Sequence, residues 1–155
     1  MKKIMMLVMM ACMTCLTTSA QEIYNEVVRM MNNYEAQKND TTKSINVRLL
    51  NTFKSDAIFY LISKASEDET FSELELGEQT RAMVLFVNLY IKRLAATRKV
   101  DERNTIKARF SNATLNNPLF NDVDKEVIHA YVGNERFLTQ FSIDTDWKKA
   151  LDAVK

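Results

Sequence analysis

Glycine and proline are almost missing from this chain, and their scarcity constrains its fold more than any other sequence feature. The 155 residues include two glycines and one proline, far below the usual shares of about 7% and 5%. Turn-rich sheets and glycine-rich phosphate-binding loops depend on these residues. Long helices joined by short connections do not, so the sequence predicts an all-α fold.

The N-terminus has the features of a secretory signal peptide. Residues 1–20 combine a charged start, an apolar centre and a small, polar end. The apolar run, 4–13, is shorter than the about 20 residues that cross a bilayer. We expect cleavage between Ala20 and Gln21, which leaves residues 21–155 as a single helical domain without a transmembrane segment, in the periplasm or secreted.

Cys12 offers an alternative, because a cysteine near the end of an apolar leader can be the lipid attachment site of a bacterial lipoprotein. Met9 stands where such leaders usually carry leucine. Both cysteines, Cys12 and Cys15, lie in the leader, so the cleaved chain has no disulfide to stabilise it. Its 19 basic and 20 acidic residues give a net charge of −1, which implies no strongly acidic or basic partner.

Apolar residues recur at spacings of three and four through most of the cleaved chain, which is typical of amphipathic helices. An acidic segment, 66–78, carries six acidic residues and no base, and we interpret it as an exposed connector. Residues 135–143 lack helical spacing and are expected to be extended. The pattern therefore predicts an irregular bundle of five to six helices. The predicted helices cover about 22–36, 45–65, 77–98, 101–115 and 122–132, with a last helix that starts at Asp144.

Helix ends are predicted from capping residues. The polar run 39–42 offers cap oxygens before the second helix, and Asp101 is a candidate cap for the fourth. Asn121 and Asp122 are candidates for the fifth, which Gly133 would terminate.

The second and third predicted helices are apolar on nearly every face at their centres, 57–62 and 83–89. Helices of this kind are covered on several sides, so we expect them to form the core pair. A pocket between them, near Tyr60 and Tyr90, is an alternative use of the same apolar surface.

Bases are concentrated between the third and fourth predicted helices. Together with the acidic segment they make the chain electrically asymmetric, either as a solvated face or as a surface that attracts an anionic envelope polymer or an envelope protein. Nucleic acid is disfavoured because no aromatic residues interleave with the bases. The seven bases are Lys92, Arg93, Arg98, Lys99, Arg103, Lys107 and Arg109.

Metal and catalytic patterns are incomplete. Glu126 and His129 match one half of a di-iron helix pair, but the chain has no second histidine. The carboxylates at 122–126 and at 144–146 lack the glycine and the distant glutamate of a calcium loop. They precede predicted helices, where acids act as caps. We therefore predict no catalytic residue, no cofactor and no metal.

Several aromatic residues lie near the ends of predicted elements. Such residues either close the ends of a bundle or line a ligand groove, and we favour the first interpretation. They are Tyr24, Tyr34, Phe71, Phe120, Phe137 and Phe141.

The run Asn117–Glu126 and the run Phe141–Trp147 resemble small exported helical proteins of unknown function from Bacteroidetes. The end of the leader, Ser19-Ala20-Gln21, is similar to theirs as well. The resemblance implies an envelope location and assigns no functional residue.

These observations favour a non-enzymatic interaction module of the periplasm or cell surface. The alternative is a small-molecule binder, or a hydrolase that uses a carboxylate, with its pocket between the second and third helices. A structural homo-oligomer is a third possibility, and the sequence leaves the oligomeric state open.

Overall fold

The computed structural model describes the backbone of residues 2–122, 129–131 and 139–155, and the side chains of residues 20–122 and 139–155. Within these ranges the chain forms five helices and one antiparallel pair of short strands, so the predicted all-α bundle is confirmed. The elements are α1 (Lys2–Asn39), α2 (Ile45–Glu67), α3 (Glu73–Ala96), α4 (Val100–Leu115), β1 (His129–Tyr131), β2 (Gln140–Ser142) and α5 (Trp147–Val154).

Helix α1 contains the predicted helix 22–36 and continues through Ala20 and Gln21. No helix in the described part of the chain combines the length and the apolarity needed to cross a membrane.

Three helices begin at a side chain that accepts a backbone N–H three positions later. Ser44 caps α2, Ser72 caps α3 and Asp146 caps α5. Each cap satisfies one of the four N–H groups that the first turn leaves without an intrahelical partner. At α3 the cap is followed by Glu75, the spacing of a capping box.

The connector predicted over 66–78 is limited to 68–72, because α2 extends to Glu67 and α3 begins at Glu73. Leu76 is 1% exposed and Gly77 is buried. Acidic residues stabilise the first turns of a helix by interacting with its dipole, so Glu73 and Glu75 mark the start of α3.

The predicted helix 122–132 is wrong at residues 129–131, which form β1. Strand β1 pairs with β2, and His129 lies opposite Ser142. The rest of that helix, including Glu126, lies outside the described residues, as do Gly133 and Phe137. The extended conformation expected for 135–143 is confirmed at β2.

Two predicted helix starts are displaced. Lys99, without a side-chain hydrogen bond, occupies the cap position of α4, and Asp101 lies in its first turn. The last helix begins at Trp147 instead of Asp144, because Asp144 binds a neighbouring loop.

A cluster of aromatic rings at the junction of α2, α3, α4, β2 and α5 forms the centre of the core. Trp147 lies at its middle, with its ring centroid 6.0 Å from Phe53 and 5.5 Å from Phe86 in edge-on arrangements. The predicted apolar stripe of the last helix is confirmed, since Trp147, Leu151 and Val154 are buried. The complete cluster is Phe53, Phe86, Tyr90, Phe110, Phe141 and Trp147.

The centres of α2 and α3 lie in this core, but they are not covered on every side. Phe59 is 63% exposed and Leu85 is 58% exposed. Each helix therefore keeps a solvent-facing stripe despite its apolar sequence.

Candidate functional site

The loop that follows α4 and the segment that leads into α5 meet in the structure. The carboxylate of Asp144, 1% exposed, is surrounded by the loop that follows α4. Its Oδ1 accepts the N–H groups of Leu119 at 3.1 Å and Phe120 at 2.8 Å, and its Oδ2 accepts that of Asp122 at 2.9 Å. Hydrogen bonds from N–H groups to a carboxylate are roughly twice as strong as neutral ones. Asp144 therefore fixes the path of this loop.

Gln79 on α3 binds the start of α5. Its Oε1 accepts the N–H of Trp147 at 2.7 Å, and its Nε2 donates to Oδ1 of Asp146 at 3.1 Å. The N–H of Asp146 in turn donates to the carbonyl of Asn117 at 2.7 Å. These contacts assign Asp144 and Asp146 to the architecture of the C-terminal segment.

Tyr60, one of the two residues expected at a pocket, lies at the edge of this loop. Its hydroxyl donates to Oδ2 of Asp122 at 3.2 Å, and Lys64 Nζ lies 3.1 Å from the same oxygen. Burial raises the pKa of Tyr60, and the carboxylates of Asp144 and Asp122 raise it further. Tyr60 therefore keeps its proton and acts as a hydrogen-bond donor.

Tyr90, the second such residue, is fully buried in the aromatic cluster. Its ring centroid lies 5.3 Å from Phe110 and 5.1 Å from Phe141, and burial raises its pKa. The two tyrosines thus pack against different aromatic neighbours, because the ring of Tyr60 contacts Phe120.

Two of the seven bases hold α5 in place. The guanidinium of Arg93 donates to the carbonyls of Val154 and Lys155, and that of Arg109 donates to the carbonyl of Ala153 at 3.0 Å. The last carbonyls of a helix lack intrahelical partners and form the negative end of its dipole. These two arginines therefore have a structural role.

The other five bases lie on α3, α4 and the segment between them, and we call them the basic surface. Lys92, Arg98 and Lys99 are exposed. Lys99 pairs with Glu102 at 2.9 Å, and Arg103 donates to the carbonyl of Thr97 at 3.1 Å. Three of these bases follow one another at intervals of four residues, namely Lys99, Arg103 and Lys107. That spacing places them in one row along α4, with steps of about 6 Å. The basic surface is Lys92, Arg98, Lys99, Arg103 and Lys107.

A cleft of about 180 Å³ lies where the end of α2, the start of α3 and one turn of α1 meet. Two aromatic rings, Tyr24 and Phe71, and the carboxylate of Glu73 are among its lining groups. The sequence analysis favoured a role for both aromatic residues in closing the ends of the bundle, with a ligand groove as the alternative, and it assigned Glu73 to a connector. The capping-box spacing of Ser72 and Glu75 is the signal that would have placed Glu73 on a helix. The remaining lining residues are Ile62, Ala65, Ser66 and Leu76.

Gly77 brings α1 close to this cleft. A Cβ atom at Gly77 would lie 2.6 Å from Cγ2 of Ile23, closer than two carbon atoms can approach without displacement. Glycine therefore lets α1 pack directly on α3 here. The contact positions Tyr24, the next residue of α1, at the cleft.

No group of three or more histidine, cysteine or acidic side chains that could hold a metal ion occurs among the described residues. The side chains of Asp124, Glu126 and His129 lie outside them. Scans against protein-family models, curated proteins and solved structures gave no match.

Proposed function

We propose that this chain is an exported, non-enzymatic interaction module of a bacterial envelope, and that its basic surface binds an anionic envelope polymer or an acidic envelope protein. The leader supports export, through cleavage between Ala20 and Gln21 or lipid attachment at Cys12. The mass of the protein recovered from cells distinguishes these two forms.

The row of bases on α4 carries this proposal. Lys107 takes part in no ion pair among the described side chains, and neither do Lys92 and Arg98. Arg93 and Arg109 are bound to carbonyls of α5, so the positive charge that the seven bases leave for a partner lies on the basic surface. Exposed charges act over about 8 Å at physiological ionic strength, so binding should depend on salt.

The test is retention of envelope components on immobilised residues 21–155, at low and at high salt, with identification by mass spectrometry. The variant Lys99→Glu/Lys107→Glu reverses two charges of the row. Its matched control, Arg29→Glu/Lys43→Glu, makes the same change of net charge at exposed sites elsewhere.

We expect a stoichiometric partner that the control variant keeps and that both high salt and the row variant release. Equal retention by the two variants would exclude the basic surface. A column that retains nothing would contradict the interaction function itself.

The cleft where α1, α2 and α3 meet, whose lining does not include Tyr60 or Tyr90, supports a second candidate function, which is binding of a small molecule. Its lining combines apolar side chains with a few polar groups, as ligand sites do. Its single carboxylate is that of Glu73.

A further inference from the structure

We propose that the cleft selects a small organic ammonium ion, with an apolar body of about one ring. This inference rests on the second candidate function, small-molecule binding, and is independent of the basic surface.

The size and the walls of the cleft define the body of the ligand. Its volume of about 180 Å³ is below the roughly 300–1,000 Å³ of sites for drug-sized molecules. Leu76, 1% exposed, belongs to the buried core, while Tyr24 is 37% exposed. The cleft therefore has both an apolar wall and an open side, and a single ring or a short alkyl chain fits it.

The electrostatics define the charge of the ligand. Glu73 is exposed and takes part in no ion pair among the described side chains. The two nearest bases along the chain have other partners. Arg81 pairs with Glu26 at 3.5 Å, and Lys64 pairs with Glu67 at 3.3 Å and Asp122 at 3.1 Å. Six acidic residues lie between 66 and 78, and two of them, Glu75 and Glu78, pair with Lys148 at 3.1 Å and 2.6 Å. Glu73 supplies the charge of the cleft lining itself. A carboxylate beside two aromatic rings attracts a cation and repels an anion.

The test compares three probes that share a ring and differ in charge: benzylamine, benzyl alcohol and benzoate. Binding to residues 21–155 is measured by chemical-shift titration at one ionic strength. We expect affinity to decrease from the amine to the alcohol to the acid. The dissociation constant of the amine should be about 1 mM, as expected for a ligand of this size.

Three variants separate the contributions of charge and shape. Glu73→Gln should weaken benzylamine binding about two- to five-fold, the range for an exposed ion pair, and leave benzyl alcohol unchanged. Its matched control, Glu69→Gln, removes an exposed acid of the same segment that does not line the cleft and should change neither. Ala65→Phe fills the cleft and should abolish binding of both probes, with folding verified by circular dichroism.

The outcomes separate the two levels of the proposal. Equal affinity for the amine and the alcohol, or an equal effect of Glu73→Gln and Glu69→Gln, overturns selection of a cation and leaves small-molecule binding in place. Failure of all three probes to bind, or binding that Ala65→Phe leaves intact, overturns both.

Discussion

At the scale of single residues, Lys54 is a buried cation that has no carboxylate partner among the described residues. It is 6% exposed, and none of the ion pairs among the described residues includes it. Its Nζ donates to Oδ1 of Asn88 at 3.0 Å and lies 5.1 Å from the ring centroid of Tyr34. Burial lowers the pKa of this ammonium group. Lys54 therefore costs stability while it is charged.

Lys54→Met should raise the free energy of unfolding by about 1 kcal/mol at pH 7, since methionine fills similar space and removes the desolvation cost. In the native protein the Lys54 amine loses its proton at a lower pH than in the unfolded chain, where its pKa is about 10.4. Between these two pKa values the unfolded chain binds more protons than the native protein, so the native protein gains stability as pH rises. The advantage of the variant should shrink there.

Urea unfolding between pH 7 and pH 11 measures this difference. Lys43→Met, at an exposed lysine, is the control and should change stability by less than about 0.5 kcal/mol. A destabilised Lys54→Met variant would mean that the contacts with Asn88 and Tyr34 outweigh desolvation.

At the scale of elements, the attachment of α5 to α3 depends on the amide of Gln79. Burial alone would raise the pKa of Asp146, but hydrogen bonds from Lys149 and Gln79 offset it, and the pKa is lowered. Gln79 also donates to Oε1 of Glu75 at 2.9 Å. A carboxylate in place of this amide would face both acids without a proton to donate.

Gln79→Glu should therefore cost about 3 kcal/mol of stability at pH 7, because a buried charge loses its compensation. Repulsion raises the folded pKa of the new carboxyl group above its unfolded value of about 4.3. The stability loss caused by Gln79→Glu should therefore decrease as pH falls from the folded pKa towards about 4.3, because the protonated carboxyl group can donate a hydrogen bond again. Urea unfolding at pH 7 and pH 4 tests this, with Gln140→Glu, at an exposed glutamine, as the control. An equal loss at both pH values would assign it to shape instead of charge.

The elements show what sequence periodicity can predict. Helices α1 to α4 and the buried stripe of α5 can be predicted from the spacing of apolar residues, because the residues of each apolar face are close together in the sequence. Strand β1 cannot, since its pairing with β2 depends on residues nine to thirteen positions away and three residues carry no clear period. The cleft is partly predictable. Tyr24 and Phe71 are identifiable as aromatic residues at element ends, but their meeting depends on the approach of α1 to Gly77.

At the scale of the whole molecule, the two proposed sites lie at opposite ends of α3. Glu73 begins this helix, whereas Lys92 lies in its last two turns and the other four bases follow its end. Glu73 and Lys92 are separated by roughly 28 Å along the helix axis. Acids at the start and bases at the end are also what the helix dipole favours, so the charge asymmetry stabilises the helix on which it lies. Because the sites are distant, variants at one should leave the other unchanged.

The core itself connects α2 and α3 with the C-terminal segment, since Phe53 of α2 and Phe86 of α3 both contact Trp147. Trp147 is the only tryptophan and is fully buried, so its fluorescence reports the docking of α5.

When residues 21–155 are heated, we expect the fluorescence change of Trp147 to coincide with the loss of helical circular dichroism, because a shared core unfolds cooperatively. Arg93→Met weakens the attachment of α5 and should lower both transitions together, by roughly 3 °C for each kcal/mol lost. Fluorescence that changes well before the helical signal would instead show that residues 139–155 detach as a separate unit, and the molecule would then have a stable helical body without its C-terminal segment.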